Sequence, residues 1–127
     1  MSDLNSKHNR TVWVDIPVAD LDRASAFYTA VLALPIHKHS MEGFTFCVLD
    51  HGDGNGGCLV PDKDAITTKG ILVYMNVSGR IRDAVSRVVP NGGKILEETQ
   101  SIGPHGFRAV VLDSEGNRIA LHSEKDA

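Results

Sequence analysis

The chain has 127 residues, 42% of them apolar, a net charge of −3 and a pI near 6.0, enough for one domain with a real core. No Lys/Arg cluster or basic stripe is present, which speaks against nucleic acid and anionic membranes as partners. No apolar run approaches the length of a bilayer span, and the polar segment Met1 to Arg10 lacks the apolar core of a signal peptide; it reads as a flexible N-terminal tail.

Val12 to Val18 is β-branched and aromatic with Asp15 inside it, a strand signal. Asp20 is placed to cap a helix running to Leu34, in which Ala24, Phe27, Tyr28, Val31 and Leu32 make one apolar face and Pro35 provides the stop. Strand character resumes at Ile36 and again over Phe44 to Leu49. Asp50 to Gly57, with four Gly, two Asp and one Asn, reads as a flexible hairpin loop, and Cys58 to Val60 as a short further strand. Pro61 to Gly70 is polar and turn-prone, the linker to a second unit.

That second unit repeats the pattern of the first, 59 residues later. Ile71 to Val77 is a strand. Ser78 is a plausible cap for a helix to Asn91, with Ile81, Ala84, Val85 and Val88 on its apolar face. Ile95-Leu96 begins a strand, Phe107 to Leu112 is another, Asp113 to Asn117 is a tight turn, and Arg118 to His122 closes the domain. The expected fold is α+β: two tandem βαβββ modules, residues 11–66 and 70–124 within one domain over 11–124, forming an eight-stranded cupped mixed sheet with its helices outside. Side chains alternate along strands. Val12, Val14 and Ile16, Val73, Met75 and Val77, and Ile119 and Leu121 are therefore expected on the helix side. Trp13 and Asp15, Leu72, Tyr74 and Asn76, and Arg118, Ala120 and His122 face the hollow.

At this level the chain resembles the vicinal oxygen chelate superfamily, which includes glyoxalase I, bleomycin resistance proteins and extradiol dioxygenases. The resemblance rests on Ile16-Pro17-Val18-Ala19-Asp20-Leu21-Asp22-Arg23-Ala24 with Phe27-Tyr28 and Val31-Leu32, and on the closing Leu112 to Leu121. It covers about residues 11 to 123 and is specific for fold rather than activity. It implies a cupped sheet and, commonly, a homodimer; whether the modules pair within a chain or across a dimer stays open. It also implies where metal enzymes of the family place His, Glu or Gln ligands. Those positions fall on Trp13, Leu72, Ala120 and, near the short strand, Cys58. Trp, Leu and Ala cannot bind a divalent cation, and one thiol does not replace a ligand set. The expectation is a site with no metal and no cofactor.

The candidate ligand-binding residues are accordingly Trp13, Asp15, Leu72, Tyr74, Ala120 and His122. Trp13 and Tyr74 offer flat apolar area with a polar handle. Asp15 is either an ion-pair partner of Arg108 or Arg118 or a functional carboxylate. His122 is either a rim residue or an acid/base group. His105 sits in a Gly/Pro loop. His37 and His39 are at strand spacing on one face, with no third ligand visible nearby. Cys47 and Cys58 give no disulfide framework and read as buried small hydrophobes in a reduced cytoplasmic protein. The preferred function is a metal-independent small-molecule-binding protein whose partner is a small organic ligand. The alternatives are a lyase or dioxygenase-type enzyme using Asp15 and His122, and an interaction module working through its dimer surface.

Overall fold

The computed structural model describes residues 7–127; the first part of the expected tail lies outside the described residues. In chain order the first half runs β1 (Trp13–Val18), α1 (Leu21–Leu32), β2 (Ile36–Met41), β3 (Phe44–Leu49) and β4 (Gly56–Pro61). The second half runs β5 (Val73–Asn76), α2 (Ile81–Ser86), β6 (Lys94–Ser101), β7 (Phe107–Leu112) and β8 (Arg118–Ser123). Each half makes a four-stranded mixed sheet, ordered β1-β4-β3-β2 and β5-β8-β7-β6, in which the first strand runs parallel to the fourth and the rest are antiparallel. The duplication is thus repeated strand for strand, as the α+β, two-module expectation requires.

Several local expectations are corrected. The first helix ends at Leu32, because Ala33 turns into the left-handed region (φ 54°) two residues before Pro35. Ser78 does not cap α2. Arg80 stands at the N-cap without a side-chain bond, and the Ser78 hydroxyl accepts from the Glu124 backbone N–H instead. The second helix is only six residues long and gives way to a 3-10 turn at Val89–Asn91, where Pro90 removes a backbone donor. The fourth strand of the first half is not short: Gly56 and Gly57 belong to it. Gly57 is needed there, since a Cβ would lie 2.5 Å from both the Val14 carbonyl oxygen and its Cγ1.

The strand alternation holds. Ile16, Val18, Leu49 and Leu59 from the first sheet, Met75, Val77, Val111, Ile119 and Leu121 from the second, and Phe27, Tyr28, Val31, Ile81 and Ala84 from the helices form one contiguous core. Both sheets therefore contribute their helix-bearing faces to the same core. The opposite, outer faces carry Asp15, His37, His39 and Phe44 on the first sheet and Tyr74 and Asn76 on the second, all exposed.

The halves are locked by the β7–β8 turn. Buried Asp113 accepts the Tyr28 hydroxyl at 2.6 Å and the Asn117 amide at 3.1 Å, while that same amide donates to the Pro17 carbonyl at 2.7 Å. Glu115, with no exposed side-chain surface, accepts from the Ala19 and Asp20 backbone N–H groups and from Arg23 through two nitrogens at 2.7 and 2.9 Å. A carboxylate there also meets the positive end of α1.

Candidate functional site

The two edge strands β1 and β5 contribute to a cleft of about 990 Å³. Its walls include Trp13 and Val14 from β1, Leu72 just before β5, Tyr74 and Met75 on β5, Leu32 at the end of α1 and Leu34 just beyond it, and most of the stretch from Asp50 to Gly57. This volume lies within the range of small-molecule sites, and the mixture of aromatic and aliphatic walls with a few polar groups is typical of them. The polar groups here include Thr11, Asp50, His51, Asn55 and Asn76.

The structure brings Trp13, Leu72 and Tyr74 to this one cleft, but not Asp15, Ala120 or His122. Trp13 is half-buried; its indole N–H donates to the Cys58 sulfur at 3.4 Å, and its ring meets His51 edge-on at 5.5 Å. Cys58 in turn donates to the Asp15 carboxylate at 3.2 Å, across the β1–β4 pair in which these residues face each other. Burial, aided by the adjacent Asp15 and opposed by Trp13, pushes the Cys58 thiol up to about 11. Cys47 lies in the core as expected; Cys58 is buried but polar in its contacts. The suggested arginine partners of Asp15 are engaged elsewhere, in the second half. Arg108 bonds Tyr74 and Arg118 bonds the Gly70 carbonyl.

On the second sheet Tyr74 pairs with Ala120, which pairs with Val110, and one step along Asn76 pairs with His122, which pairs with Arg108. Ala120 is fully buried. The His122 Nε2 lies 2.7 Å from the His105 carbonyl oxygen, so it carries the proton and donates. Gly106 (φ 100°) makes that loop possible, since a Cβ there would lie 2.4 Å from the Ser123 carbonyl oxygen. The His105 side chain itself is exposed. Arg108 donates to the Tyr74 hydroxyl at 2.5 Å, a bond that pushes its guanidinium pKa further up.

His37 and His39 do share one face of β2, but they do not converge. His37 contacts Asp50 at 3.1 Å, an acidic partner 13 residues away in sequence, and His39 stacks on Phe46 at 5.5 Å. The strand registers relate the family positions to one another: Cys58 stands beside Asp15 as Ala120 stands beside Tyr74. Trp13, Leu72, Ala120 and a protonated Cys58 do not fit a hard or borderline cation, and among the described residues no group of three His, Cys, Asp or Glu side chains is arranged to hold a metal.

His51, Asn55 and Arg108 carry no sequence signal of their own as site residues. His51 and Asn55 lie in a Gly-rich stretch whose composition suggests a flexible loop. In fact Asn55 ties that turn to the Thr11 carbonyl, and the His51 ring packs where a Gly56 side chain would be.

Comparison with known proteins agrees with this architecture. Residues 10–48 match the family model of the bleomycin resistance protein-like N-terminal domain. A glyoxylase-like domain-containing protein from Didymella fabae is 28% identical over 132 residues, spanning 90% of this chain and 93% of that one. Over most of its length the chain is thus similar to proteins of the vicinal oxygen chelate superfamily. Among solved structures of the superfamily, a glyoxalase-related enzyme from Fulvimarina pelagi superposes with a TM-score of 0.69 at 16% identity over 91% of this chain and 88% of its own. A fosfomycin resistance protein from Listeria monocytogenes gives 0.68 at 12% identity over 91% and 93%. At such identities the likeness is one of fold.

Proposed function

We propose that this protein binds a small organic molecule, without a metal ion, in the cleft between β1 and β5. The observation that carries the reading is the replacement of the superfamily's ligand positions by side chains that line or support an apolar cleft: Trp13 and Leu72 form its wall, and Cys58 holds the Trp13 indole. A cleft of about 990 Å³ admits a drug-sized molecule. The enzyme alternative draws on Asp15 and His122, which stand on different sheets, and the His122 Nε2 proton is committed to a backbone carbonyl. The exposed Met41 and Phe44, opposed on the first sheet, support pairing with a second copy, and the two free thiols support a reduced, cytoplasmic setting.

The test is ligand screening followed by Trp13 fluorescence, since Trp13 is the chain's one tryptophan. The reading expects saturable binding that is unchanged by EDTA and by added Zn, Ni, Mn or Fe(II). Binding or turnover that appears only with one of these ions overturns it. Loss of turnover in Asp15→Asn would favour the enzyme instead.

A further inference from the structure

The outer face of the second sheet carries an arginine whose carboxylate partner is a long, half-exposed ion pair. Arg108 donates through Nη1 to the Tyr74 hydroxyl on β5 at 2.5 Å and lies over the Tyr74 ring at 5.9 Å. Its Nη2 lies 3.7 Å from Glu97 on β6, too far for a hydrogen bond. Its Nε is covered and has no hydrogen-bond partner. The guanidinium thus meets side chains from both edge strands of the sheet, Tyr74 and Glu97, while Ala120 and Val110, paired one step along β7 and β8, are buried. Arg118, on the same face, also has a covered, unpartnered Nε, and Asn76 and Gln100 are neutral amides. Glu97 is the carboxylate within ion-pair reach of Arg108 among the described residues, and it is half exposed and tied to Gln100.

An arginine held by one neutral hydroxyl and paired only through a long contact to a half-exposed carboxylate can still take a planar anion in better geometry. Tyr74 links it to the cleft: the residue lines the cleft, Arg108 does not, and the Tyr74 hydroxyl holds Arg108. The cleft walls are mainly apolar. We infer that the ligand is an organic carboxylate with an apolar body, the body in the cleft against Trp13 and Leu72 and the carboxylate on Arg108 beside Tyr74, displacing the loose contact of Glu97. This rests on the small-molecule reading above and adds a chemical class to it.

The test uses the full chain and three probes of one shape: cyclohexanecarboxylate, the neutral cyclohexanecarboxamide and the cationic cyclohexylmethylamine, each titrated against Trp13 emission. The carboxylate is expected to bind about tenfold or more tighter than the amide, the worth of a charge-assisted hydrogen bond to arginine, and the amine not at all. Arg108→Gln should erase the preference and Arg108→Lys should keep part of it, while Glu97→Gln should strengthen carboxylate binding severalfold by removing the competing acid. Equal binding of carboxylate and amide, indifferent to Arg108→Gln, overturns the carboxylate assignment and leaves the small-molecule reading standing. No response to any probe at millimolar concentration, in the wild type and in Glu97→Gln, overturns the assignment of this ligand class to the cleft. Thermal melts of each variant separate loss of binding from loss of fold.

Discussion

The Tyr28 hydroxyl, on the first helix, donates to the Asp113 carboxylate at 2.6 Å, and both residues are buried. They are 85 residues apart, and the bond joins the helix of the first module to the last turn of the second. Asp113 is otherwise satisfied by the Asn117 side chain and by the Glu115 and Asn117 backbone N–H groups. Burial, followed by the nearby Asp113 charge, raises the Tyr28 phenol well above its ordinary value, so it stays a donor. Tyr28→Phe keeps the ring and removes the donor. Its expected cost is about 1–3 kcal/mol, that of leaving a buried charged acceptor short of a partner. Urea denaturation with an unchanged m-value checks it; a change below a few tenths of a kcal/mol would show that the bond contributes nothing to joining the modules.

Acid stability should pass through Glu115. Its carboxyl is held down at about 2, against 4.5 ordinarily. Burial alone would raise it, but Arg23, the Asp20 and Ala19 backbone N–H groups and Ser114 outweigh that. A depressed folded-state value means stability that is fully present above about pH 4.5 and is lost as pH falls toward about 2. Thermal melts from pH 6 to pH 2 should therefore show a falling midpoint whose slope in this window is reduced in Glu115→Gln, which is itself less stable at neutral pH. An identical slope in the variant would place the acid sensitivity elsewhere.

The features legible in the sequence were those that repeat or alternate. The helix face Ala24-Phe27-Tyr28-Val31-Leu32 is buried residue for residue, and Asp15, Ile16, Val18, Tyr74, Met75 and Asn76 of β1 and β5 are exposed or buried as their alternation requires, whereas Ala120 of β8 is buried with its neighbours Ile119 and Leu121. The meeting of Tyr28 with Asp113 was not legible, because nothing local in either segment encodes the other. Arg108 illustrates a second limit. Alternation places it on the outer face, but its partner Glu97 sits on β6, whose register shifts between Ile95 and Gln100, so simple strand counting does not find the pair. The turn Asp50 to Gly57 illustrates a third: glycines that signal looseness in a sequence here permit close packing, with His51 against Gly56 and Val14 against Gly57.

Gly57 should be intolerant of substitution. It pairs with Val14 across β1 and β4, and an added Cβ would meet the Val14 carbonyl oxygen at 2.5 Å, a backbone atom that cannot move without disturbing the parallel pair. Gly57→Ala is expected to cost about 1–3 kcal/mol, the usual penalty of overpacking. Because Val14 and Gly57 both line the cleft, Trp13 emission should shift as well. A variant with unchanged stability and emission would mean that the strands can part without consequence for the cleft.

The linked trio Trp13, Cys58 and Asp15 makes opposing predictions for its two neighbours of the thiol. With a pKa of about 11, about one Cys58 in a thousand is ionised at pH 8, so alkylation by iodoacetamide should be slow in the folded protein and fast after unfolding. Asp15 favours the neutral thiol through its charge and by accepting the S–H; Trp13 favours the thiolate by donating to sulfur. Asp15→Asn should therefore lower the pH at which alkylation accelerates, and Trp13→Phe should raise it. Labelling rates followed by mass spectrometry from pH 7 to pH 11 distinguish the two directions. Shifts of the same sign in both variants would mean that exposure, rather than these two hydrogen bonds, controls the thiol.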